Sequence, residues 1–247
     1  MLLHGIGSTK DCWRPVLPLL TARHEVVRFD MPGFGDSPFP ADGREPSPDA
    51  LADVIAAELG RLGLDRPQLV GNSLGGEVAL DLARRGLARS VVALSPSGLS
   101  TSVERELIVA SLGFGHFTSR SLAPFADTLA RSPAFRTLAF AQLHARPWQK
   151  SPAQSAADVR NTARPYYLRC LKAVEARSAI EWLGQVEVPV LIAFGVHDRV
   201  LGAHQGPRFL EALPDARLER LPGAGHVPMS DAPELVARTI LAFTDSS

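Results

Sequence analysis

Along most of the chain, short runs of uniformly apolar residues alternate with longer stretches whose apolar residues recur every three or four positions. Runs of the first kind read as strands buried on both faces, and stretches of the second kind as amphipathic helices. Residues 25–33 (EVVRFDMPG) predict a buried strand entering a turn, with Val26, Val27 and Phe29 as its apolar members. Residues 47–63 predict a helix: Ser47 caps it, Pro48 suits the first helical position and Gly63 closes it. Leu51, Val54, Ile55, Leu59 and Leu62 make its apolar stripe. A short strand at 68–70, a helix at 76–86 and a buried strand at 90–96 come next. The scheme returns with a strand at 189–195, a helix at 205–213, a strand at 216–222 and a closing helix at 233–243. Apolar strands separated by helices predict an α/β fold: a mostly parallel sheet with helices on both faces.

Between about residues 98 and 185 the alternation stops. No strand pattern is found there, apolar residues keep helical spacing, and Pro124, Pro133, Pro147, Pro152 and Pro165 divide the stretch. It holds nine of the sixteen aromatic residues and eleven Lys/Arg against six Asp/Glu, so it is net +5 and the remainder net −5. It reads as a helical insertion lying over the sheet of a single domain spanning 1–247, its aromatics serving mainly its own packing.

Composition narrows the function. With 26 basic and 26 acidic residues in 247, the formal charge is zero, which argues against a nucleic-acid partner. No apolar run reaches the length of a membrane span, so no membrane partner is expected. Residues 1–10 lack the basic head and long apolar stretch of a signal peptide. Cys12 and Cys170 have no metal-type spacing and suit free thiols in a reducing compartment, so a cytoplasmic location is expected. The oligomeric state is not legible.

The candidate chemistry centres on Gly71-Asn72-Ser73-Leu74-Gly75, placed where a strand meets a helix. A serine at the apex of that sharp turn holds its hydroxyl above the sheet edge, and the residues two before and two after must be small because strand and helix pass close together. G-x-S-x-G alone arises by chance in about 8% of chains this long, so its partners decide. Serine needs a base, and the base an orienting acid. In this architecture they follow in the order Ser, acid, His. Asp198 stands just past the 189–195 strand and His226 in a Gly-rich loop after the next, both where parallel sheets build their sites. Ser95, not an acid, ends the 90–96 strand. His197 sits beside Asp198 on a turn, where adjacent side chains point apart, and reads as non-catalytic; His204 reads as a surface or helix-start residue, His24, His116 and His144 carry no pairing signal, and Asp30 suits a loop brace.

HGIGS (4–8), DMPGFGDS (30–37), GNSLGG (71–76), GVHD (195–198) and GAGHVP (223–228), in this order, resemble the α/β-hydrolase superfamily, in its subgroup with a helical cap after the sixth strand. The resemblance implies Ser73 as nucleophile, Asp198 as acid and His226 as base. It makes His4-Gly5-Ile6-Gly7 the oxyanion loop, with the N–H groups of Ile6 and Leu74 as donors and His4, Gly5, Gly7, Gly71, Asn72 and Gly75 as supporting residues. His4 has no acid partner in chain order and reads as structural rather than as a second base.

Members of that superfamily normally begin with two more strands and half of a third before HG; here Met1 precedes His4 by three residues. Strands 1 and 2 are therefore expected to be missing, the HG strand cut to Met1–Leu3, and the 25–30 strand left as an exposed edge. A start site assigned too late explains this, with a short natural form as the alternative.

Haloalkane dehalogenases and soluble epoxide hydrolases of the superfamily place Asp at the elbow; Ser73 implies acyl transfer instead. The expected activity is hydrolysis of a small or medium carboxylic ester, with no metal or organic cofactor and a small molecule as the partner. GNSLGG also resembles C–C hydrolases of ring-fission products, although Val227 stands where those enzymes usually place Trp. Lactonase, perhydrolase and acyltransferase activities use the same triad. A non-catalytic ligand receptor on this fold is the reading from another class.

Overall fold

The computed structural model describes residues 1–38, 43–176, 180–213 and 215–246. Five parallel strands form one sheet in the order of the chain: β1 (Leu2–Leu3), β2 (Gln68–Asn72), β3 (Ser90–Leu94), β4 (Val190–Gly195) and β5 (Arg217–Leu221). The helices are α1 (Leu17–Leu20), α2 (Pro48–Arg61), α3 (Leu74–Arg84), α4 (Ser102–Leu122), α5 (Ala126–Leu129), α6 (Pro133–Phe140), α7 (Pro152–Thr162), α8 (Pro165–Glu175), α9 (Gly206–Ala212), α10 (Pro228–Asp231) and α11 (Pro233–Thr244). None of the described helices is long and apolar enough to cross a membrane.

The two-residue period of the strands divides the core. Leu69, Val91, Ala93, Val190, Ile192 and Phe194 pack with α2, α3 and α9 on one face. Val70, Val92, Leu94, Leu191 and Ala193 pack with Trp13, Leu20 and α11 on the other. Helices therefore cover both faces, and β2, β3 and β4 are buried throughout, apart from half-buried Gln68. β5 departs from the apolar pattern: Arg217, Glu219 and Arg220 are exposed, and charges on an edge strand discourage pairing with another chain.

Three expectations need correction. The segment at 25–30 is not a strand: a single parallel bridge links Arg28 to Leu2, with the Leu2 N–H donating to the Val27 carbonyl at 2.9 Å. Two-residue β1 offers too little ladder for more, and Val26, Val27 and Phe29 are only half-buried. Leu62 is not part of the α2 stripe: the helix ends at Arg61, Gly63 turns the chain at φ +64°, and Leu62 is 41% exposed. α3 begins at Leu74, not Gly76, so Ser73 abuts the helix directly.

Between β3 and β4 lie α4 to α8 and no described strand. These helices have a small core of their own: Ala126, Ala130, Phe140, Ala156 and Val159. Thr101 and Glu104 form a capping box at the start of α4, and Glu104 also takes the Arg208 guanidinium at 2.6 Å, fastening α4 to α9.

Candidate active site

The four loops that carry the candidate residues all leave the carboxyl ends of strands: β1 leads to His4–Gly7, β2 to Ser73, β4 to Asp198 and β5 to His226. Ser73 has φ +55° and ψ −119°, a conformation that non-glycine residues rarely adopt and that costs roughly 1–3 kcal/mol. The turn is held from both sides. The Ser73 N–H donates to the Leu94 carbonyl at 2.9 Å, and the Ser73 carbonyl accepts from the N–H of Gly76 at 2.9 Å and of Glu77 at 3.2 Å. A methyl group on Gly71 would lie 2.1 Å from the Gly75 carbonyl oxygen, and one on Gly75 would lie 2.4 Å from that of Leu3. Strand, helix and β1 therefore close around the serine only because those two positions carry no side chain.

His226 Nδ1 lies 2.9 Å from Asp198 Oδ2 in a buried contact. The other carboxylate oxygen, Oδ1, accepts the N–H groups of Val200 (2.9 Å) and Leu201 (3.0 Å). Burial works against the Asp198 charge, but His226 and these donors outweigh it and hold the carboxyl well below its usual range. An ionised Asp198 fixes hydrogen on Nδ1 and leaves Nε2 as the basic nitrogen. Asn72 does more than line the elbow: its Nδ2 donates to the carbonyls of Leu94 (3.0 Å) and His226 (2.9 Å), tying the His226 loop to the sheet. Nothing in its sequence neighbourhood signals that bond, which joins residues 154 apart.

Ser73 and His226 line one cavity of 420 Å³, together with Gly5, Ile6, Gly7 and residues of α4, α6 and α7. A second cavity of 70 Å³, lined by Ile6, Ser73, Leu74, Leu112, Leu171 and Val200 among others, shares Ile6 and Ser73 with it. Leu74 is the first residue of α3, so its N–H has no acceptor within the helix. Gly5 packs on the elbow, a methyl group there falling 3.1 Å from Ser73 Cβ. Gly7 has φ +70°, and a side chain there would run into the Tyr167 ring of α8.

His4 is fully buried. Its Nε2 accepts the Met31 N–H at 2.8 Å and its Nδ1 donates to the Gly5 carbonyl at 2.8 Å, which braces the loop rather than serving a reaction. Burial pulls its pKa down to about 4 from 6.5. The unfolded chain therefore takes up a proton that the folded chain refuses. The stabilisation is complete above pH 6.5 and is lost as pH falls towards 4, with a limiting size on the order of 3 kcal/mol. His4→Gln, which keeps an acceptor near Met31, should lower the urea midpoint at pH 7.5, and the gap from the wild type should narrow by pH 4.5. A gap constant across that interval would show that His4 does not titrate this way.

Asp30 braces the neighbouring loop. Its carboxylate accepts from the Lys10 N–H (2.7 Å), Lys10 Nζ (2.6 Å) and the Asp36 N–H (3.0 Å). His144, without a signal in the sequence, pairs with Asp231 at 3.4 Å, both buried. Asp231 also accepts the N–H groups of Ala145 (2.9 Å) and Gly225 (2.8 Å), joining the helical segment to the loop of His226. His197 is exposed, and His204 is a surface residue bonded to Glu104 at 2.7 Å.

The model of the alpha/beta hydrolase family matches residues 1–239. Among curated proteins, the chain is 32% identical over 200 residues to epoxide hydrolase EphH of Mycobacterium tuberculosis, covering 79% of this chain and 94% of that one. It is 30% identical over 246 residues to the pimeloyl-[acyl-carrier protein] methyl ester esterase of Aromatoleum aromaticum, covering 95% and 93%. Among solved structures, a serine hydrolase involved in carbazole degradation superposes with a TM-score of 0.78 at 21% identity, over 100% of this chain and 90% of that one.

Proposed function

For this chain, which belongs to the alpha/beta hydrolase family, we propose hydrolysis of small or medium, partly apolar carboxylic esters through an acyl-enzyme on Ser73. The observation that carries it is the buried 2.9 Å contact of His226 with Asp198, on a cavity whose wall Ser73 shares. Ser73 Oγ attacks the ester carbonyl while His226 Nε2 takes its proton. The N–H groups of Ile6 and Leu74 receive the oxyanion; such donors are typically worth about 3 kcal/mol each in barrier. His226 returns the proton to the departing alcohol. It then takes a proton from water, whose oxygen attacks the acyl carbon, and gives that proton to Ser73 Oγ as the acid departs. The helices over the loops act as a cap, and the two cavities meeting at Ser73 divide the acyl and alcohol parts of the substrate between them.

One relative is named an epoxide hydrolase and another a methyl ester esterase. The elbow residue favours the ester. A carboxylate that opens an epoxide forms an ester, which water can cleave at its carbonyl. A serine that did so would form an ether with no carbonyl to attack, and turnover would stop.

Intact-mass measurement after fluorophosphonate treatment tests the proposal. One adduct is expected on the wild type and none on Ser73→Ala or His226→Ala. A folded wild type that takes no adduct would count for a non-catalytic receptor. Product identification on ester, lactone and ring-fission substrates then separates the chemistries that share this triad.

A further inference from the structure

We propose that the outer face of α4 docks the protein on an anionic lipid surface, with the mouth of the larger cavity turned towards the lipid. Val103, Leu107, Ala110, Phe114 and Phe117 recur at intervals of three or four residues, which places them in one stripe of the helix. All five point away from the protein, the four large ones 66–70% exposed. The stripe runs for roughly 21 Å at 1.5 Å per residue. Phe125 (62%) and Leu138 (83%) are exposed on the same set of helices, and Trp148 is half-exposed beside α6. Six large apolar side chains exposed to this degree on one helical layer are not ordinary scatter, and they demand a partner.

The choice of partner follows from charge and from the cavity. The five stripe residues are uncharged and the exposed Glu106 sits at their edge, but the segment between 97 and 185 is net +5 and the rest of the chain net −5. The protein is thus electrically polar, with its apolar stripe at the positive end. Arg120, three residues beyond Phe117, and Arg131 are exposed, and neither has a carboxylate partner among the described residues. An apolar strip with two arginines against one carboxylate, Glu106, at its borders suits an anionic interface, apolar groups at the acyl boundary and cations among the headgroups. A second copy docked face to face would set one +5 segment against another. Leu138 also lines the 420 Å³ cavity, as do Leu122, Phe135 and Thr118 of the neighbouring turns. A partly apolar ester dissolved in lipid would therefore meet Leu138, Leu122 and Phe135 on its way to Ser73, in a cavity that Gln142, Lys150 and Asp158 also line. The sequence alone predicts no membrane partner, because the stripe is too sparse to register as an apolar run; it exists only once the helix is formed and its other side is covered.

Cosedimentation with vesicles tests this directly and needs no catalysis, so its outcome is separate from that of the ester proposal. The probes are phosphatidylcholine vesicles and vesicles containing 30% phosphatidylglycerol. The wild type should sediment with the anionic vesicles in low salt and be released as salt is raised. Phe114→Ser/Phe117→Ser and Arg120→Glu/Arg131→Glu should each weaken binding about tenfold. Neither double variant touches a cavity-lining residue, so an unchanged melting midpoint and unchanged hydrolysis of a short soluble ester would certify the fold. Absence of binding by the wild type would overturn the proposal, as would equal binding by the phenylalanine variant. A wild type that is dimeric in sedimentation velocity, made monomeric by Phe117→Ser and indifferent to vesicles, would assign the stripe to a second copy instead.

Discussion

Ser73→Ala should lower kcat for ester hydrolysis by about a millionfold, and Asp198→Asn by about ten thousandfold. The difference follows from what the proposed mechanism asks of each side chain. Without Ser73 Oγ there is no nucleophile, and only the Ile6 and Leu74 donors and the cavity remain to act on the ester. Without the Asp198 charge, the nucleophile and base are both present. An amide in its place can turn its N–H₂ towards His226 Nδ1 and so move the ring hydrogen to Nε2, where it blocks proton uptake. Asp198 is buried behind His226 and does not line either cavity, so KM should change little in Asp198→Asn. The double variant should be no slower than Ser73→Ala, because the residues act as one unit. Steady-state kinetics on a short ester, with circular dichroism to confirm folding, measures all three. Multiplicative losses in the double variant would mean that Asp198 acts through something other than Ser73 and His226.

Gly195→Ala should be the most damaging single methyl group in the chain outside the elbow. Gly195 ends β4, and a Cβ there would lie 2.1 Å from the Gly225 carbonyl oxygen and 2.5 Å from that of Ala224. Both neighbours are backbone, so relief requires the loop of Asp198 or the loop of His226 to move, not a side chain to rotate. The same junction is tied by the His197 N–H to the Ala224 carbonyl at 2.9 Å. Separating the loops by an ångström would cost that bond and the 2.9 Å His226–Asp198 contact together. A loss of more than about 3 kcal/mol is expected, a fall of roughly 10 °C in Tm for a domain of this size. Activity in whatever folds should drop at least about a hundredfold, the usual effect of misplacing a catalytic group by an ångström. A thermal melt and a kcat measurement suffice; a wild-type melt with wild-type kcat would show that the loops have slack the packing does not reveal.

Gly195 also illustrates what the sequence makes legible. The sheet and most of its helices follow from apolar periodicity because β2, β3 and β4 are buried on both faces, and burial is what periodicity encodes. Ser73 is found from its glycines for the same reason that they are needed: a backbone requirement leaves a compositional mark. Asp198 and His226, singled out by chain order and strand ends, lie in contact at 2.9 Å. What periodicity misreads are positions decided by a neighbour's length, such as the 25–30 segment beside two-residue β1, and Leu62 just past the end of its helix. Bonds between distant backbone groups leave no mark at all. Asn72 looks like an elbow residue and proves to hold the base's loop, while His144 and Asp231 become partners only when the helical segment folds back over β5.

That last pair sets how the active site can open. Asp231 holds Ala145 of the helical segment and Gly225 of the His226 loop on one carboxylate oxygen, and the Val227 N–H donates to the Leu143 carbonyl at 3.1 Å. Glu104 fastens the start of the same segment to Arg208. A helical segment held along these seams cannot lift as a rigid plate without drawing the His226 loop away from Asp198. Opening along those seams is opposed, and the rim at Leu122, Phe135 and Leu138, which lines the larger cavity, is expected to part first. On the proposed mechanism, substrate would enter and product leave there while the His226–Asp198 contact stays assembled, so exchange and chemistry need not take turns.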